Sequence, residues 1–145
     1  MPEHVASVAL AQASQNGQAL SRLFDLQAEW ASATGSSARI PQAGIVVPTV
    51  VASDETALAT ILTALETAVG VVNAAEPATV TSLSVASGVP EALVTQVIPR
   101  LNLEVVVAAQ ARGELERFFS ELASLSPDII GGQLPDGDFY LADPR

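Results

Sequence analysis

Ser53-Asp54-Glu55-Thr56-Ala57-Leu58-Ala59-Thr60-Ile61-Leu62-Thr63-Ala64-Leu65-Glu66-Thr67-Ala68-Val69-Gly70-Val71-Val72 is the stretch on which the fold turns. Leu58, Ile61, Leu62, Leu65, Val69 and Val72 recur at intervals of three and four, the stripe of an amphipathic helix; a strand would alternate every second residue. Ser53 or Asp54 stands where a helix cap belongs, and Glu55 follows near the positive end of the helix dipole. The opposite face carries Thr60, Thr63, Ala64 and Thr67, with Glu66 its one charge. A face so weakly polar is expected to be covered, and Glu76-Pro77 closes the helix.

Downstream, Leu83, Val89, Val94 and Val97 around Gly88 resemble the core spacing of a helix-turn-helix over residues 80–101, with Pro90 set to start its second helix. That second helix offers Glu91, Thr95, Gln96 and Arg100, too few cationic or amide groups to read base edges. A further helix is expected from about 102 to 125, with Val105, Ala108, Ala109, Leu115, Phe118, Phe119 and Leu122 inward, and Pro99 kinking or separating it from its predecessor. The tail, residues 127–145, holds Gly131-Gly132 and the turn signature Pro135-Asp136-Gly137-Asp138, then Phe139-Tyr140-Leu141. Those three either fold back over the domain or anchor in a neighbour's pocket.

Upstream, Ile45, Val46, Val47, Val50 and Val51 crowd into residues 40–52, where Pro41 and Pro48 forbid a regular helix. The segment reads as an extended arm whose exposed sides a neighbouring subunit would cover. Residues 3–34 read as helix, with Leu20, Leu23, Phe24 and Trp30 on its apolar stripe and a polar interruption around Gly17 that permits two shorter helices. The expected fold is therefore mainly α: four or five helices in a small bundle-like domain spanning 1–126, with the proline-punctuated arm at 40–52, then a loop-rich C-terminal tail at 127–145.

Composition directs the functional reading. Charged residues are 15% of the chain and apolar residues 49%, against about 25% charged in ordinary soluble domains. Sixteen acidic residues against six basic give a net charge of -10, which repels phosphate backbones and anionic lipid. The charge-free stretches 40–53 and 77–90 are broken by Pro41, Pro48, Pro77 and Gly88, so no membrane span is expected and the chain reads as cytoplasmic. With no cysteine and with His4 the one histidine, a thiolate metal site and a multi-histidine site are excluded within one chain, and His4, near a terminus, reads as a solvated side chain rather than the base of a Ser-His-Asp triad. Asp136, Asp138 and Asp143 read as a solvated turn and Glu114, Glu116 and Glu121 as a solvated helix face. No enzyme activity, cofactor, metal, nucleic acid or membrane partner is expected.

The surplus apolar surface points instead to burial against other protein. The expected function is that of a structural subunit of a homo-oligomer or larger self-assembling complex, with Ile45, Val46, Val47, Val50, Val51, Phe139, Tyr140 and Leu141 as interface residues. The alternative is an acidic regulatory adaptor that uses residues 80–101 to bind a protein partner.

Overall fold

Helical periodicity carries through nearly the whole chain. In the computed structural model, which describes residues 2–145, 65% of the chain is helical and no strand forms among the described residues. The helices are α1 (Glu3–Gln15), α2 (Leu26–Thr34), α3 (Thr49–Ala52), α4 (Glu55–Ala74), α5 (Pro77–Ser87), α6 (Glu91–Leu101) and α7 (Ala108–Leu125), with 3₁₀ turns at Pro127–Ile130 and Gly137–Phe139. Among the described residues there are seven α-helices, more than the expected four or five. The first long stretch is split by an irregular segment after Gly17 (φ 71°), and Leu20, Leu23 and Phe24 on that segment are exposed instead of inward.

The arm is irregular only as far as Pro48. The Pro48 carbonyl accepts from the Val51 and Ala52 amides at 2.9 and 3.0 Å, closing a single helical turn, α3, just before α4. Val50 and Val51 are therefore helical, not extended. Their β-branched preference is worth only tenths of a kcal/mol each, less than the bonds this turn closes. Pro99 likewise does not end α6, which runs two residues beyond it. So close to the C-terminal end the ring forfeits one hydrogen bond, and Asn102, left-handed at φ 48°, is the actual stop. α7 begins at Ala108, later than expected, after the β-branched run Val105-Val106-Val107.

Two compact units share the chain: Met1–Leu23 with Leu62–Val105, and Phe24–Ile61 with Val106–Arg145. The first is centred on α5 and α6, where Val80, Val94 and Ile98 are buried and Val72, Ala75, Leu83 and Val89 pack against them. Gly88, left-handed at φ 70°, ends α5 and lets the chain reverse within three residues. The Thr81 hydroxyl donates to the Glu91 carboxylate at 2.7 Å, tying one helix to the other. The helix-turn-helix spacing thus corresponds to a packed helical pair. α1 lies against α6, and its Ser7 hydroxyl, buried, donates to the Glu3 carboxylate at 2.7 Å.

The second unit is built on α7. Asp25 caps α2 through the Gln27 amide at 2.9 Å, and α2 meets α7 through Trp30, edge-on to Phe118 with centroids 5.8 Å apart. Arg117 of α7 donates to the Thr34 carbonyl at 3.0 Å, and Glu114 accepts from Ser37 at 3.0 Å. The tail packs within this unit. The Ala109 amide donates to the Leu141 carbonyl at 3.0 Å, and the Arg112 guanidinium lies 4.9 Å from the centre of the Tyr140 ring.

Candidate interaction surface

An amphipathic helix should bury its stripe, yet of the twenty residues of α4 only Leu58 is buried. Ile61, Leu62, Leu65, Val69 and Val72 are half-covered, and Val71 is exposed. Asp54 caps the helix, its carboxylate accepting from the Ala57 amide at 3.0 Å. The Thr60 and Thr67 hydroxyls each donate to the carbonyl one turn earlier, Thr56 and Thr63, at 2.8 Å. The protons of these two hydroxyls are spent within the helix, so they present methyl groups and acceptor oxygens outward but no donor. The expectation that no segment could span a membrane needs correction on this point. By length and composition alone α4 is long and apolar enough to cross one.

The arm is exposed in its own right. Val46 is 84% exposed, Val50 77% and Ile45 68%, while Val47 and Val51 are half-buried. The tail does the opposite with one residue. Tyr140 is buried and Leu141 half-buried, whereas Phe139 stays nearly half exposed. A row of rings, Trp30, Phe118, Phe119, Phe139 and Tyr140, runs through the second unit with successive centroids 5.8, 6.3, 6.3 and 5.1 Å apart. Burial, with the nearby Glu116 carboxylate, pushes the Tyr140 phenol up despite Arg112. Its hydroxyl is buried without a partner.

Val85 on α5, Leu125 at the end of α7, Leu23 and Phe24 are exposed as well. Sequence reasoning placed Phe24 in the core and passed over Val85, because a periodic stripe shows which residues share a face and not whether anything covers it.

The polar candidates are occupied by local structure. Asp136 accepts from the Asp138 amide at 3.2 Å within the tail turn. The Arg145 guanidinium and amide hold the Asp143 carboxyl down to about 2. Arg112 donates to Glu116 at 2.7 Å, and His4 is exposed. No cluster of three or more His, Cys, Asp or Glu residues stands together among the described residues. Comparison with protein families, curated proteins and solved structures finds no match to this chain.

Proposed function

We propose that this chain is a non-enzymatic structural subunit of a homo-oligomeric or larger self-assembling complex. The observation that supports this is the apolar exposure of two elements: α4, with one of its twenty residues buried, and an arm whose Ile45, Val46 and Val50 stand in water. Exposed apolar area of this extent marks an interaction surface in a soluble chain. Lipid is the less favoured occupant, because Glu66 sits near the middle of α4, where a charge costs about 2.5–3.5 kcal/mol to insert. Gel filtration with light scattering at low micromolar concentration should give a multiple of the 14.9 kDa chain mass. A 14.9 kDa species that fails to float with phosphatidylcholine vesicles would overturn the assembly reading, and one that does float would replace it with a lipid-bound one.

The packed α5–α6 pair supports a second reading, an adaptor that docks a protein partner on that unit, with exposed Val85 at its surface. A monomer that retains its fold would favour it.

A further inference from the structure

Two of the six basic residues converge in the first unit. On α1, Ser7, Leu10 and Ala11 lie one turn apart on a single face; on α6, Leu93, Gln96 and Arg100 form the matching stripe. With Arg22 they line a cleft of about 400 Å³ between the two helices, within the size range of small-molecule sites.

The charges in this cleft are unequally committed. Arg22 donates through Nε and Nη2 to the Glu3 carboxylate, and its Nη2 also reaches the Ser7 hydroxyl at 2.7 Å. Burial would raise the Glu3 carboxyl, but hydrogen bonds from Ser7 and Arg22, with the positive charges of Arg22 and then Arg100, hold it below its ordinary value. Arg100 is therefore near enough to be felt by Glu3, yet its guanidinium makes no hydrogen bond among the described residues, nor does the Gln96 amide one turn before it. Two guanidinium groups against one carboxylate leave the cleft with one positive charge in a chain of net charge -10. Leu93, roughly 10 Å along α6 from Arg100, joins Leu10 and Ala11 as the apolar part of the lining.

We propose that this cleft binds a small organic monocarboxylate with a short apolar tail, its carboxylate on Arg100 and Gln96 and its tail along Leu93, Leu10 and Ala11. A guanidinium and a neighbouring amide supply the donors that a carboxylate's two oxygens accept. The proposal is independent of the assembly reading.

Methyl-labelled full-length protein titrated with hexanoate, hexanol and inorganic phosphate tests it by NMR. Hexanoate should shift the Leu10 and Leu93 methyls and the Gln96 side-chain amide saturably, at least tenfold more tightly than either comparator. Arg100→Gln, at an exposed position, should keep the helical spectrum and weaken hexanoate at least tenfold; Leu93→Ser should weaken hexanoate and leave phosphate unchanged. Absence of saturation overturns the site. Equal binding of hexanol reduces it to an apolar groove, equal binding of phosphate to an anion patch, and either result overturns the proposal, as does an Arg100→Gln variant that binds hexanoate like the parent.

Discussion

Replacing Val46 and Val50 together by aspartate separates what folds the chain from what the proposed assembly requires. Both side chains stand largely in water, 84% and 77% exposed, so within one chain the change is a surface substitution worth about 0.5 kcal/mol or less at each position. Between chains the arithmetic differs. Burying a valine fully is worth roughly 1.5–3 kcal/mol, so covering four-fifths of two of them contributes about 2–5 kcal/mol per protomer. At 1.4 kcal/mol per factor of ten, losing that weakens association by about 30- to 3,000-fold, before the cost of burying two carboxylates is added. Sedimentation velocity over a range of concentrations, with circular dichroism at 222 nm on the same samples, checks it. The double variant should keep its helical signal and shift to smaller species. Unchanged size would refute the arm's role in assembly, and lost helicity with unchanged size would make residues 40–52 part of an internal core.

Ile98→Ala removes a side chain 3% exposed at the centre of the Val80–Val94 cluster and should cost about 2–5 kcal/mol in urea unfolding; a loss below about 1 kcal/mol would mean the α5–α6 core is not formed. Tyr140→Phe deletes a buried hydroxyl without a partner and should be neutral to about 2 kcal/mol stabilising, whereas a loss above about 1 kcal/mol would reveal a hydrogen bond to that oxygen. Because the Glu3 carboxyl is lowered in the folded chain, its contribution is full above the ordinary glutamate value of about 4.3 and fades as acid titrates it through the lower folded value. Glu3→Gln should therefore flatten the fall of stability between about pH 6 and 3, measured by chemical denaturation, and an unaltered slope would show that the Arg22 pairing contributes nothing.

The mainly helical class was legible because period-3.6 stripes repeat along most of the chain, and the α5–α6 turn was legible because Gly88 and Pro90 mark its two ends. Boundaries were harder. α3 depends on a proline carbonyl capturing two amides, a local closure that a β-branched run conceals. The end of α6 depends on Asn102 turning left-handed, which the preceding Pro99 obscures. Coverage was hardest of all. Phe24 and Phe118 read alike as aromatic stripe residues, but Phe24 lies in a segment no helix claims, while Phe118 has Trp30 against it. The arm's exposure followed from its prolines, whereas the burial of Tyr140 followed from a backbone bond between Ala109 and Leu141 that no spacing announces. The Arg100 cleft needs two helices placed side by side, a relation invisible along one of them.

The threonines of α4 carry a last consequence. Hydroxyls whose protons are committed to the Thr56 and Thr63 carbonyls can accept but no longer donate, so contact through this face would be steered more by shape than by hydrogen bonds. Shape made of methyl groups repeats every turn, and a partner displaced by one turn meets almost the same relief. In the proposed assembly such a face would discriminate poorly between registers, so its geometry would be fixed elsewhere: by Glu66, the one charge in the interior of the helix, or by the arm that enters it through α3.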